Sequence, residues 1–168
     1  MYIGISEDYG EGASKNKNKK TMNKEQELFK EKAISGYTVC FAAHCPLKEQ
    51  CLHWLVGQQL PDDRNTYYCV NLRSQDVGTP RCPLFRPSEK VTFAFGMMHI
   101  FNDDMPRKVE THVRQRLIGK HCRTYYYEYR NGQRPIPPAV QAEIRQYFHE
   151  AGWHEDIAFD SYVVDYEW

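Results

Sequence analysis

The sequence lacks any run of 18 apolar residues, which excludes a segment long enough to form a transmembrane helix. Its N-terminus also lacks the apolar core of a secretory signal peptide and becomes lysine-rich instead. Together these absences predict a cytoplasmic protein with no membrane association. The recognised catalytic motifs G-x-S-x-G, P-loop, G-x-G-x-x-G and H-E-x-x-H are missing too. The sequence therefore predicts no catalytic residues, and an enzyme is the less favoured class.

Net charge is absent as well, since 22 Lys and Arg balance 22 Asp and Glu. However, residues 107–145 hold nine Lys and Arg against three Glu, whereas residues 146–168 hold six carboxylates and no Lys or Arg. A basic block can bind a polyanion, or a neighbouring acidic segment can neutralise it within the same domain. We favour neutralisation. The alternative function is a nucleic-acid-binding regulator that uses residues 107–145. Its candidate contacts are Arg123, Tyr127, Arg130 and Arg134.

The composition, with 41% hydrophobic residues in 168, is typical of one globular domain. Residues 1–20 are polar and contain Gly and Lys, which predicts a flexible tail. Residues 21–168 are expected to form a single α+β domain, a small helical domain with a short antiparallel sheet and a cysteine-rich loop region. The predicted helices cover residues 23–34, 52–60, 106–118 and 138–151. The predicted strands cover residues 67–71, 91–95 and 162–168.

The tyrosine-rich segment RTYYYEYRNG allows two interpretations. Tyr125, Tyr127 and Tyr129 alternate with other residues, and Asn131-Gly132 is the preferred two-residue hairpin turn, so the pattern favours a strand and a hairpin. A helix that ends at Gly132 is the alternative.

Six cysteines are more than a chain of this size needs for stability, because its core can suffice without disulfides. In a reducing compartment, closely spaced cysteines favour metal or redox chemistry. Three lie within CFAAHCPLKEQC and a fourth follows in RCPLFRP, so the tripeptide Cys-Pro-Leu occurs twice. Proline stiffens the loop beside each of these two thiols. Four thiolates from two loops can bind zinc or an iron-sulfur cluster. The predicted ligands are Cys40, Cys45, Cys51 and Cys82.

The spacing does not choose between zinc and a cluster, and buried free thiols or a redox or disulfide pair remain alternatives. His44 and His53 lie beside the cysteines and are candidates to replace a thiol or to orient the ligands. Cys69 and Cys122 lie in apolar or aromatic surroundings and are expected to be packed thiols outside the site. The other histidines have no partner carboxylate at a useful spacing, so ordinary surface or core roles are expected.

The succession of CFAAHCPLKEQCLHWLV, RCPLFRP, FAFGMMHIF, RTYYYEYRNGQRPIPPAVQAEIRQYFHEAG and FDSYVVDYEW resembles an uncharacterised domain-of-unknown-function family of gut anaerobic bacteria. The resemblance covers roughly residues 37–168 and leaves the first 36 outside. It implies a shared fold and a four-cysteine pattern at Cys40, Cys45, Cys51 and Cys82, and it supplies no function.

The leading hypothesis is a cytosolic structural or accessory domain whose four cysteines bind a metal ion or an iron-sulfur cluster. Besides the nucleic-acid-binding regulator, a third class is a redox component that passes electrons through such a cluster. A zinc site is colourless whereas a cluster absorbs broadly in the visible, so a spectrum distinguishes them.

Overall fold

The computed structural model describes residues 23–101 and 104–168, and the predicted tail at 1–20 lies outside these ranges. The described residues confirm a small α+β domain, with four α-helices and a two-stranded antiparallel sheet. No helix among them has both the length and the apolar character needed to cross a bilayer. The elements are α1 (Lys24–Ile34), α2 (Leu52–Gly57), β1 (Lys90–Phe95), α3 (Arg107–Arg130), α4 (Pro138–Glu150) and β2 (Ser161–Tyr166).

Helix α1 begins at a capping box. The Asn23 side chain accepts a hydrogen bond from the Gln26 N–H, and the Gln26 side chain accepts one from the Asn23 N–H. This exchange satisfies two amide groups that a helix start otherwise leaves unpaired. The helix buries Phe29 and Ala33, as its sequence predicts, and Gly36 follows it with a φ of 93°. Helix α2 ends earlier than predicted, at Gly57 rather than residue 60.

The sheet consists of the two strands predicted at 91–95 and 162–168. Lys90 lies opposite Tyr166 and Phe95 opposite Ser161. Tyr162, Val164 and Tyr166 alternate along β2 and share one face, which is only half packed, because Val164 is 63% exposed whereas Tyr166 is 3% exposed. The Tyr166 ring lies 5.4 Å from Phe29, so the end of β2 joins the sheet to α1.

The predicted strand at 67–71 is wrong. Only Cys69 pairs with another segment, as a single parallel bridge to Val39. The Val39 N–H donates to the Tyr68 carbonyl at 3.0 Å, and the Val70 N–H donates to the Val39 carbonyl at 2.9 Å. These bonds hold Cys69 beside Val39, the residue that precedes Cys40.

The predicted strand and hairpin around Tyr125 are also wrong, and the alternative of a helix ending near Gly132 is correct. Helix α3 runs for 24 residues to Arg130. Tyr126 and Tyr129 are buried, whereas Tyr125 and Tyr127 are exposed. Burial therefore repeats after three residues, as in a helix, and not after two, as in a strand. Gly132 adopts a φ of 69° and terminates the helix.

Helix α3 bends at Cys122, whose φ of 68° and ψ of 164° are not helical. This backbone conformation is almost confined to glycine, because a Cβ atom collides with the neighbouring backbone. The bend therefore stores strain, on the order of 1–3 kcal/mol.

We expect Cys122→Gly to raise the free energy of unfolding by about 1 kcal/mol. The glycine removes the strain, and its greater freedom in the unfolded chain offsets part of the gain. Cys122→Ala is the matched control, because alanine removes the thiol but keeps the Cβ atom. Urea denaturation of both variants measures the difference, and a glycine variant no more stable than the alanine variant would contradict the assignment of strain to this position.

A carboxylate ties the end of β1 to the start of β2. Asp160 accepts hydrogen bonds from the backbone N–H groups of Met98 at 2.9 Å and His99 at 3.0 Å, and its own N–H donates to the Gly96 carbonyl at 3.3 Å. Partial burial raises the pKa of Asp160, but these amide bonds and the His99 side chain outweigh it and hold the pKa below its usual value. We call Gly96, Met98, His99 and Asp160 the strand junction.

We expect Asp160→Asn to lose stability at neutral pH but not in acid. A carboxylate with a depressed pKa stabilises the folded state above its unfolded pKa of about 4, and this contribution is lost as the pH falls through the folded pKa. The free energies of unfolding of the wild type and the variant should therefore differ between pH 6 and 8 and converge in acid. Urea titrations across this range test it, and a gap that persists at the acid end would exclude the charge as its source.

Candidate functional site

The four predicted ligand cysteines line one small cavity. Its volume is about 20 Å³, which is room for a single water-sized body. Cys40, Cys45, Cys51 and Cys82 all contribute to the wall, whereas Cys69 and Cys122 do not. The rest of the wall is mostly apolar and includes Ala42, Leu47, Trp54, Val70, Leu84 and Phe85.

The two Cys-Pro-Leu tripeptides form the same backbone arrangement. The Cys45 N–H donates to the Ala42 carbonyl at 3.0 Å, and the Lys48 N–H donates to the Cys45 carbonyl at 3.3 Å. In the second copy, Cys82 donates to Thr79 at 3.1 Å and Phe85 donates to Cys82 at 3.2 Å. Each cysteine thus joins two successive turns, with proline at the second position of the later turn, where its fixed φ is favourable.

Backbone pairing brings the two turns to the same cavity. The Leu52 N–H donates to the Arg86 carbonyl at 2.8 Å, and the Ser88 N–H donates to the Gln50 carbonyl at 2.9 Å, so Cys51 lies antiparallel to Pro87. The Cys40 N–H donates to the His53 carbonyl at 2.8 Å. The first two bonds connect the segment that contains Cys82 to the start of α2, and the third connects the segment that contains Cys40 to the same helix.

The six cysteines are all free thiols. Burial is the main cause that raises the pKa of Cys40, and the nearby thiols of Cys51, Cys69 and Cys45 add to it, so Cys40 is protonated at neutral pH. Within residues 23–101 and 104–168, no three Cys, His, Asp or Glu side chains are already arranged to hold a metal ion. The cavity gathers the predicted ligands, and metal binding stays a prediction.

His53 is the histidine that belongs to this cavity. Its Nδ1 atom lies 2.5 Å from the Thr38 carbonyl oxygen, and its ring stacks on Tyr37 at 5.0 Å. A carbonyl only accepts hydrogen bonds, so Nδ1 carries the proton of this contact. Histidines that bind metals are usually braced through the other nitrogen in this way. His44, the other candidate beside the cysteines, is exposed and does not line the cavity.

Three of the nine cations of the basic segment form ion pairs among the described residues, and the predicted carboxylates contribute little to this. Arg116 pairs with Glu150 at 3.2 Å, and Lys120 pairs with Glu143 at 2.9 Å, both across the contact between α3 and α4. Only Glu150 comes from the acidic stretch expected to do this. Asp160 binds backbone amides of the strand junction instead of an arginine.

The four candidate nucleic-acid contacts do not form one surface. Arg134 pairs with Glu128 at 2.5 Å and its guanidinium lies 3.9 Å from the centre of the Tyr125 ring. The Nε atom of Arg130 is buried and has no hydrogen-bond partner among the described residues. Arg123 and Tyr127 are exposed and adjacent, with the guanidinium 5.7 Å from the ring centre.

Three of the five remaining histidines lie close to a carboxylate in the structure. His121 lies 3.3 Å from Glu143, His112 lies 3.7 Å from Glu150, and His99 lies 3.1 Å from Asp160. Each partner is distant in the sequence, so no local spacing indicates it.

Glu143 forms the most connected of these pairs, since it also accepts hydrogen bonds from the Tyr147 hydroxyl and from Lys120. Burial opposes its charge, but the hydrogen bonds from Tyr147, Lys120 and His121 prevail and lower the pKa of Glu143. Burial first, and then the bond to Glu143, raise the pKa of Tyr147 to about 12. Because Glu143 already has three partners, this network joins α3 to α4 rather than offering a vacant acid or base.

The fold and the site define a small α+β domain with a thiol-lined cavity. Residues 22–168 match the model of DUF6078, a family of unknown function, and the chain belongs to that family. The resemblance to a domain-of-unknown-function family is thereby confirmed, and its N-terminal limit moves from residue 37 to residue 22. No curated protein and no solved structure shows significant similarity to the chain.

Proposed function

We propose that this domain binds one zinc ion through Cys40, Cys45, Cys51 and Cys82, and that the ion stabilises the fold. The observation that carries the proposal is that these four cysteines, from two turns of the same design, line one cavity. Thiolates are the preferred ligands of structural zinc, and four of them satisfy its tetrahedral geometry.

The size of the cavity favours a single ion over a cluster. Its volume of about 20 Å³ accommodates one small body, whereas an iron-sulfur cluster contains several iron and sulfide atoms. In the proposal, the thiols turn toward the ion by changing their side-chain rotamers, with no change in the backbone pairing between Gln50 and Ser88. The ion then replaces the four protons that the thiols release.

Positively charged side chains near the cavity can offset the negative charge of a zinc ion bound by four thiolates. A zinc ion with four thiolates carries a net charge of about −2, which is costly in an apolar cavity unless cations lie nearby. Lys48 lines the cavity, with its ammonium donating to the Ala43 carbonyl at 2.9 Å. Arg86, whose carbonyl binds Leu52, is close enough to act on the neighbouring Tyr37 hydroxyl.

A structural role follows from the segment between α2 and β1. Residues 58–89 form neither a helix nor a strand, and irregular segments of this length need other anchors to stay ordered. Cys82 lies within this segment, so an ion shared with Cys40, Cys45 and Cys51 would tie it to the start of α2. Four reduced thiols also accord with the cytoplasmic location expected from the sequence.

Metal analysis of anaerobically purified full-length protein tests the proposal. We expect about one zinc per chain and no visible absorption. Cys45→Ser should lose the metal and Cys122→Ser should keep it. Broad visible absorption with iron and sulfide would replace zinc by a cluster. Metal-free wild-type protein, or equal metal content in both variants, would contradict the site.

A second pair of variants tests the ligand set. Because His53 lines the cavity and is held by Thr38 through Nδ1, His53→Gln distinguishes a four-cysteine site from one with three cysteines and a histidine. The proposal predicts that His53→Gln retains zinc. Loss of zinc in His53→Gln, together with retention in one of the four cysteine variants, would assign the fourth position to His53.

A further inference from the structure

We propose that the bend in α3 forms a binding site for a nucleotide unit, meaning a phosphate together with its base. An open groove of about 400 Å³ lies at the bend, which is within the size range of small-molecule sites. It is remote in sequence from the cysteine cavity and does not depend on the metal. The groove is lined by Arg114, Gln115, Ile118, Gly119, Arg123 and Tyr127.

The geometry of α3 explains why the groove exists. Gln115 and Gly119 share one face of α3 before the bend, Arg123 and Tyr127 share one face after it, and all four line the groove. The non-helical backbone of Cys122 lies between these two pairs. The opposite face of α3 is buried in the core through residues such as Val113 and Leu117, so the groove is directed to solvent.

The charge of the groove is positive and is not neutralised by the described residues. Other cations of α3 form ion pairs with carboxylates, as Arg116 does with Glu150 and Lys120 with Glu143. Within residues 23–101 and 104–168, neither Arg114 nor Arg123 forms an ion pair. Two exposed guanidinium groups on either side of a bend are suited to phosphate, which they bind through paired N–H donors.

The aromatic component of the groove is Tyr127. Tyr127 is 38% exposed and packs edge-on against the buried Tyr126, with the ring centres 5.2 Å apart. An exposed ring supported on one edge and lying beside an arginine can serve as a stacking surface for a nucleobase. An inorganic anion would use the arginines alone, so the tyrosine indicates a ligand with both a phosphate and a base.

Gly119 leaves the floor of the groove open. A Cβ atom built at this residue meets nothing within 4 Å, so a side chain can be introduced there without displacing the protein. Gly119→Glu should therefore place a carboxylate in the groove and also raise the helix propensity of α3. This variant tests the site without a risk to folding.

Fluorescence anisotropy with a labelled oligo(dT) of about 15 nucleotides tests the proposal at physiological salt. We expect saturable binding that weakens more than about tenfold in Gly119→Glu, in Arg114→Ala combined with Arg123→Ala, and in Tyr127→Ala. Tyr127→Phe should retain binding because it keeps the ring. Arg107→Ala is the matched control, since it removes a charge from the exposed start of the same helix, outside the groove, and should change the affinity less than about twofold.

Competition with mononucleotides and with inorganic phosphate identifies the source of the ligand. If a mononucleotide displaces the labelled oligo(dT), the natural ligand is a free nucleotide. If only the oligonucleotide binds, the natural ligand is single-stranded nucleic acid. Both outcomes retain a site that recognises a phosphate together with a base. Absence of saturable binding for both probes overturns it. Equal competition by phosphate combined with full affinity in Tyr127→Ala overturns it as well, because the site would then recognise only an anion.

Discussion

Cys82→Ala is expected to remove the bound metal and to lower Tm by at least about 6 °C. Zinc bound to structural thiolates contributes directly to folding, because the unfolded chain has no formed site. Loss of one ligand and the ion should cost at least about 3–5 kcal/mol, and in a chain of this size each kcal/mol lowers Tm by about 2–4 °C. Thermal unfolding with metal analysis of the same samples measures both effects.

Cys69→Ala and Cys122→Ala are the controls for that experiment. Both residues are exposed thiols outside the cavity wall, so their loss should shift Tm by only a few degrees. A strong chelator should lower the Tm of the wild type toward that of Cys82→Ala and leave the latter unchanged. If all three variants unfold at the same temperature, the stabilising role proposed for the metal is wrong.

Gly96→Ala is expected to reduce the free energy of unfolding by at least about 3 kcal/mol. The φ of 77° at Gly96 strains any residue with a Cβ atom, which costs about 1–2 kcal/mol. The new Cβ would also lie 2.2 Å from an Asp160 carboxylate oxygen, a distance that no structure tolerates. The carboxylate must therefore move and weaken its bonds to Met98 and His99, each of which contributes about 1.5–3 kcal/mol. Urea denaturation provides the measurement.

Two comparisons separate strain from collision at the strand junction. Gly152 also has a positive φ, of 85°, but a Cβ atom there meets nothing within 4 Å, so Gly152→Ala should cost only the strain. In an Asp160→Ala background, Gly96→Ala should also cost less than in the wild type, because the carboxylate is gone and only the Cβ atom of residue 160, at 2.8 Å, remains. Equal costs for Gly96→Ala in both backgrounds would show that the carboxylate is not the obstacle.

The sequence predicts those elements whose signals are local. The Asn23 and Gln26 capping box marks the start of α1, and the apolar spacing from Val140 to Phe148 marks α4. The first part of α3 was predicted at residues 106–118, but a strand was favoured for its C-terminal part because alternating tyrosines imitate a strand, while the buried residues, Tyr126 and Tyr129, follow the helical period. The bend at Cys122 has no sequence signal, since neither proline nor glycine occupies that position.

The candidate site likewise combines features that the sequence indicates with features that it does not. The repeated Cys-Pro-Leu tripeptide indicates two equivalent turns, which the structure forms. By contrast, the brace between His53 and Thr38 and the pairing of Leu52 with Arg86 join residues that are far apart in the chain. The partner of a long-range contact depends on how the segments pack, so neither spacing nor composition specifies it. The groove at α3 escaped prediction for a similar reason, because a helix bend creates it.

The pairing of β1 with β2 has a consequence for the order of folding. The partners of residues 90–95 are residues 161–166, so the sheet closes a loop that contains both long helices. Closing so long a loop is entropically costly, and such pairings form slowly. During synthesis from the N-terminus, β1 leaves the ribosome without a partner and stays unpaired until α3 and α4 have been made. The nascent chain therefore carries an exposed strand edge while residues 96–166 are synthesised, and this interval is when the protein is most prone to aggregate or to require a chaperone.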